Sequence, residues 1–158
     1  MQNYAISNSL TPFISMQDHH SLLYREEERE MFPTLKMFGV SAIPWSPLSR
    51  GLLARPWSAT STRGDVEWVI KRFTSAITNS GNEEIVNRVE ELAKRKGITM
   101  VQVAVAWSLS GHVAAPIVGT TSLKNLEELI DAVHIELTTD DIQYLEEPYK
   151  PMPILGFS

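Results

Sequence analysis

The chain has 158 residues, 43% of them hydrophobic and 21% charged, a composition that fits a globular fold and excludes a disordered one. Its formal net charge of −5 argues against nucleic acid as a partner, because phosphate backbones need clustered Lys and Arg. With no cysteine, it has no disulfide framework, zinc–thiolate site or thiol nucleophile.

Met1 to Leu10 has no basic leader character, and no run approaches the roughly 18 apolar residues of a membrane span. The expected location is therefore cytoplasmic. Phe13–Gln17 is the first continuous apolar run and reads as a buried strand. Arg25 to Phe38 reads as a helix: Glu26, Glu27 and Glu28 suit the positive end of its dipole, and Gly39 suits its stop. Val40–Trp45 is the second strand. Together these make a βαβ unit with parallel strands.

The stretch from Leu52 to Asn82 is rich in Ser, Thr, Arg, Gly and Trp and reads as a long loop. A helix follows, with Ile85, Val86, Val89, Leu92 and Ala93 on one face and an end at Lys96-Gly97. Thr99-Met-Val-Gln102 has the form of a capping box, opening a helix that is apolar nearly all round and so well buried. Ala115–Val118 is the third strand. Ser122 is placed to cap a helix reaching about Val133, and Thr138 a short one through Leu145. Three prolines mark Pro148 to Ser158 as irregular. The pattern is α/β with a parallel sheet of three strands, whose two edges would lie open.

The second strand runs into Trp45-Ser46-Pro47-Leu48-Ser49-Arg50-Gly51. A ligand in an α/β protein sits just past the carboxyl end of a parallel strand. Here an indole offers a flat apolar face, and small residues with one guanidinium offer donors to a phosphate. An ordinary core tryptophan would be the better reading of Trp45 without Ser46-Pro47-Leu48 behind it. Asp18-His19-His20 suggests a metal, but neighbouring histidines in an extended segment point opposite ways, and the plain reading prevails.

Four segments, taken in order, resemble the aldo-keto reductase family, in particular its aryl-alcohol dehydrogenase-like branch. They are Pro12–Gln17, Leu23–Glu30, Ile43–Gly51 and Pro116–Thr121. The resemblance implies a C-terminal portion of a (β/α)8 TIM barrel, with three parallel strands resembling strands 6–8, and it implies NADP(H). It covers residues 1–158 as a single partial domain, since a whole barrel takes about 250 residues.

By the same resemblance, Gln17 holds the nicotinamide carboxamide and Trp45 stacks on the nicotinamide ring. Ser46, Pro47, Leu48, Arg50 and Gly51 form the pyrophosphate loop, with Arg63 on a covering loop. Gly119, Thr121, Asn125 and Glu128 hold the adenosine end. Asn125 replaces a usual glutamine, and Leu129 a usual asparagine that an aliphatic side chain cannot imitate. The family's Asp, Tyr, Lys and His set for hydride transfer maps onto no residue here, so no catalytic residue is assigned. Two classes remain open. One is the cofactor-binding part of an oxidoreductase that interconverts aldehydes and alcohols. The other is a non-catalytic relic or interaction module that self-associates through its strand edges.

Overall fold

A computed structural model describes residues 1–59 and 81–154. Its centre is a short parallel sheet. Strand β1 (Ser15–Met16) pairs with β2 (Ser41–Ala42) in the register Ser15↔Ser41 and Met16↔Ala42. The pairing continues past the strands: Ile43 N–H donates to the Met16 carbonyl and Trp45 N–H to the Asp18 carbonyl, each at 2.8 Å. The expected third strand at Ala115–Val118 is not regular. A third ribbon instead touches β2 through isolated parallel bridges, Ala42↔Val113 and Trp45↔Ile117. Pro44 accounts for part of this. It has no N–H to donate toward that ribbon, and only its carbonyl takes part, accepting from Ile117 N–H at 2.7 Å. The result is α/β with two regular strands among the described residues, a partial barrel.

Six helices surround the sheet among the described residues. They are α1 (Gln2–Ser7), α2 (Met31–Phe38), α3 (Asn82–Lys96), α4 (Met100–Leu109), α5 (Leu123–Asp131) and α6 (Thr139–Glu146). The expected helix from Arg25 to Phe38 is divided. Glu26–Glu28 form a single 3-10 turn, and α2 starts only at Met31. Pro33 is the reason: its ring would collide with the carbonyl of Arg29 in a longer helix, so it is confined to a first turn. Gly39 then ends α2 in the left-handed conformation, as Gly97 ends α3.

Helix α3 carries Glu83 and Glu84 in its first turn and Lys94, Arg95 and Lys96 in its last, both favourable to its dipole. Its apolar face, with Ile85, Val86, Val89 and Leu92 fully buried, packs on Val103, Ala104 and Trp107 of α4 and on Leu145 of α6. The Thr99 capping box forms: Thr99 Oγ1 accepts from Gln102 N–H at 3.2 Å, and Gln102 Oε1 accepts from Thr99 N–H at 3.0 Å. Thr99→Ala should lower the urea unfolding free energy by about 1 kcal/mol, and an unchanged midpoint would show that α4 is held by burial alone. Thr138 and Asp141 form the same box on α6. Ser122 precedes α5, but its side chain caps nothing. Its N–H donates to Thr120 Oγ1 at 3.2 Å. Helix α5 stops at Asp131 and tightens into a 3-10 turn through His134.

The expected loop from Leu52 to Asn82 begins as a 3-10 segment, Ser49–Ala54, and most of it lies outside the described residues. The tail after α6 is irregular through Ile154, yet it is tied down. Tyr149 Oη–H and Met152 N–H both donate to Oε1 of the buried Glu26, at 2.9 and 2.8 Å. The other oxygen of Glu26 accepts from Arg29 at 2.9 Å.

Large apolar side chains stay exposed on both flanks of the sheet. Phe13 and Ile14 lie at the β1 edge, and Leu123, Leu126, Ile130 and Val133 lie along one face of α5 and the turn after it.

Candidate functional site

The register of β1 on β2 decides which side chains share a face. Side chains alternate along a strand, so Ser15, Gln17 and His19 join Ser41, Ile43 and Trp45 on one side. Met16 and Asp18 join Ala42 and Pro44 on the other. The second side faces the helices: Ala42 and Asp18 are buried. The first side is open, with Gln17 exposed and Trp45 half-buried. Gln17 and Trp45, 28 positions apart in sequence, therefore share one face at the carboxyl ends of neighbouring parallel strands.

The loop after Trp45 is where the backbone is most unusual. Ser46, Ser49, Arg50 and Gly51 have φ of 56°, 48°, 57° and 90°. Three of these are not glycine, and a left-handed residue with a Cβ is uncommon. Such strain, about 1–3 kcal/mol per residue, persists where surroundings impose it, and it gathers at ligand sites. Here the surroundings are identifiable. Ser49 N–H donates to the Ser46 carbonyl at 2.9 Å, and Gly51 N–H to the Leu48 carbonyl at 2.9 Å. Ser49 Oγ shares a buried 2.7 Å hydrogen bond with Ser21 Oγ. Leu48 packs on the cluster of Val105, Leu129 and Ala132, which joins the loop to α4 and α5. Turns that mix right- and left-handed residues are a backbone form found at anion sites.

The other expected contacts lie on the neighbouring ribbon and on α5 beyond it. Ile117 pairs with Trp45, so Gly119 stands two residues beyond the tryptophan's register partner. Gly119, Thr121 and Asn125 are exposed and Glu128 is half-buried. A Cβ at Gly119 would meet no atom within 4 Å, so that backbone faces open space. Leu129 points into the core, 6% exposed, and not toward this surface. Arg63 lies outside the described residues.

The two histidines point apart, as expected of an extended segment. His20 Nε2–H donates to Glu28 Oε1 at 2.8 Å and its ring packs near Phe32 and Trp107. Arg25 donates to both oxygens of the same carboxylate and to Glu146 at 2.9 Å, where Trp107 Nε1–H also donates. Against the upward pull of burial, the bonds from His20 and Arg25 hold the Glu28 carboxyl at about 2. Among the described residues no group of three His, Asp or Glu side chains is placed to hold a metal ion.

The sequence profile of the Aldo/keto reductase family fits residues 2–150. The chain belongs to that family. It is 50% identical over 155 residues to versiconal hemiacetal acetate reductase of Aspergillus parasiticus, covering 98% of this chain and 45% of that protein. It is 46% identical over 157 residues to a Schizosaccharomyces pombe protein assigned as an aryl-alcohol dehydrogenase, covering 99% and 44%. Its fold superposes on the crystal structure of the thermostable aldo-keto reductase Tm1743 with a TM-score of 0.67 at 24% identity, covering 92% of this chain and 43% of that one. The chain thus spans less than half the length of the reductases it matches.

Within this aldo/keto reductase chain, three tyrosines have structural partners. Tyr24 is 2% exposed and stacks on His19, Tyr144 Oη–H donates to Glu91 at 2.6 Å, and Tyr149 accepts from Arg25 N–H while donating to Glu26. Two features of the site escaped the sequence. His19 lies flat against Trp45, with ring centroids 4.2 Å apart. Asp18 is buried, and no other residue among those described hydrogen-bonds its carboxylate. The signal for His19 was present in its position two residues after Gln17, on the same strand face. Its partner could be named only once the register was known. No helix among the described residues is long and apolar enough to cross a membrane.

Proposed function

We propose that this chain forms the cofactor-binding part of an NADP(H)-dependent oxidoreductase that interconverts aldehydes and alcohols. One observation carries the reading. Gln17, Trp45 and the left-handed loop Ser46–Gly51 converge at the open carboxyl edge of the sheet. In this arrangement the amide of Gln17 both donates to and accepts from the nicotinamide carboxamide, and the indole of Trp45 stacks on the ring. Backbone N–H groups of the loop and the Arg50 guanidinium meet the pyrophosphate. Gly119, Thr121, Asn125 and Glu128 take the adenosine 2′-phosphate and base near the start of α5, with Leu129 contributing no hydrogen bond. The ribbons correspond to strands 6–8 of the family barrel, and the hydride-transfer residues belong to the part of the fold that precedes them. When bound, the cofactor supplies hydride to a carbonyl carbon. The residues of this chain bind and orient it.

Titration of the chain with NADPH, followed by quenching of tryptophan emission, tests this directly. Saturable quenching is expected, stronger for NADPH than for NADH, with affinity at least about tenfold weaker in Trp45→Ala, the loss of a stacked aromatic and its buried area. A chain that neither quenches nor retains NADPH would sink the proposal. Aldehyde turnover by the chain alone would sink its catalytic half.

A second reading has an observation of its own. The exposed Phe13 and Ile14 at one flank, and the α5 stripe at the other, suit a chain that associates through its sheet edges, with a second copy as the simplest partner.

A further inference from the structure

The rings of Tyr24, His19 and Trp45 form a continuous stack. Their centroids are 4.5 and 4.2 Å apart and their planes tilt by only 12° and 16°. The imidazole is the middle layer, and its backbone is the register partner of Trp45. The outer layer is anchored: Tyr24 is 2% exposed, and its N–H and carbonyl exchange two 3.0 Å hydrogen bonds with Ser21. The hydroxyl of that same Ser21 shares the 2.7 Å hydrogen bond with Ser49 of the strained loop. One tight turn, Ser21–Tyr24, therefore braces the indole through His19 and the phosphate-type loop through Ser49. Burial pushes the imidazole down to about 4, with the Arg50 and His20 charges adding to it, so the ring between the two π faces is uncharged at neutral pH.

We infer that His19 is a positioning residue. It occupies one face of the Trp45 indole, fixes the plane of that ring, and leaves only the opposite face to receive a nicotinamide. The inference rests on the cofactor reading above. Its geometric half, that His19 holds Trp45, stands by itself. An indole without this backing would be free to rotate about its χ angles, and a flat partner would have to select one orientation on binding. An indole already held flat pays that ordering cost in the folded chain.

The experiment compares His19→Ala, His19→Leu and His19→Phe with the wild type. Leucine keeps volume without a π face, and phenylalanine keeps a flat ring. The first readout is the near-ultraviolet circular dichroism band of Trp45, defined by difference from Trp45→Phe. The second is NADPH affinity by tryptophan quenching, with far-ultraviolet spectra checking the fold. Expected results are loss of the Trp45 band in the alanine and leucine variants, with NADPH binding weakened about five- to tenfold, the scale of one aromatic stack. The phenylalanine variant should restore both to within about threefold, which a purely structural role for the histidine would not produce. A Trp45 band unchanged in folded His19→Ala or His19→Leu would overturn the inference, as would NADPH affinity within twofold of wild type. Failure of the wild type itself to bind NADPH would overturn the cofactor reading, and with it the claim about the free indole face, while the dichroism band decides whether His19 holds Trp45.

Discussion

Asp18→Asn should stabilise the protein at neutral pH and leave it unchanged in acid. Asp18 sits on the helix side of the sheet, 5% exposed, and no other residue among those described hydrogen-bonds its carboxylate. Burial raises its carboxyl from 3.8 to about 6; the neighbouring Glu27 charge adds to the rise and His20 opposes it. A carboxyl whose pKa is higher in the folded state binds its proton more tightly there. Its cost to stability is therefore absent below about 4, grows as pH rises through the interval from 3.8 to about 6, and is complete above it. That interval corresponds to roughly 2–3 kcal/mol. The neutral amide removes the charge at nearly constant shape. Urea midpoints at pH 7 should rise by an amount worth about 2 kcal/mol, and midpoints at pH 4 should coincide. An equal gain at both pH values would mean that the effect is steric.

Glu26→Ala should do the opposite on a similar scale. The Glu26 carboxylate is buried, accepts three hydrogen bonds, and joins the turn after β1 to the tail more than 120 positions later. Burial alone would raise its pKa, but the bonds from Met152 N–H, Arg29 and Tyr149 outweigh it and the net direction is downward. The same environment drives the Tyr149 hydroxyl upward, through burial first and then the Glu26 charge. Truncation leaves the buried Met152 N–H without a partner and the half-buried Tyr149 hydroxyl without its acceptor, a loss of about 2 kcal/mol. Amide exchange at Met152 reads this locally: its N–H should lose protection in Glu26→Ala and keep most of it in Glu26→Gln, which still offers an accepting oxygen. Retained protection in the alanine variant would show that Met152 is held by packing alone.

What could be read from the sequence was what is local. The Thr99–Gln102 box, the Thr138 cap and the stops at Gly39 and Gly97 depend on residues within one turn of each other, and all formed. The long helix from Arg25 failed because Pro33 acts against a carbonyl four positions back, a steric veto that the charge pattern of Glu26–Glu28 conceals. The third ribbon failed because parallel pairing is decided by a distant neighbour: Pro44 has no N–H to offer that ribbon and reaches it only through its carbonyl, which accepts from Ile117. The site divides along the same line. Gln17, Trp45 and the loop beyond carried their own signal in residue type and order. The His19 stack and the buried Asp18 emerge only from the register of two strands some 26 residues apart.

The Glu26 clasp also bears on how the chain comes into being. Synthesis proceeds from the N-terminus at about 5–20 residues per second, so Glu26 leaves the ribosome long before Tyr149 and Met152 exist. Through that interval the carboxylate lacks two of its three folded-state donors, and its stable form is hydrated at the surface. The Arg25 N–H, which follows the Ser21–Tyr24 turn, likewise waits for the Tyr149 hydroxyl that accepts from it. Contacts of such long sequence separation carry the largest loop-closure cost, so the clasp should close after the strands beside it have paired.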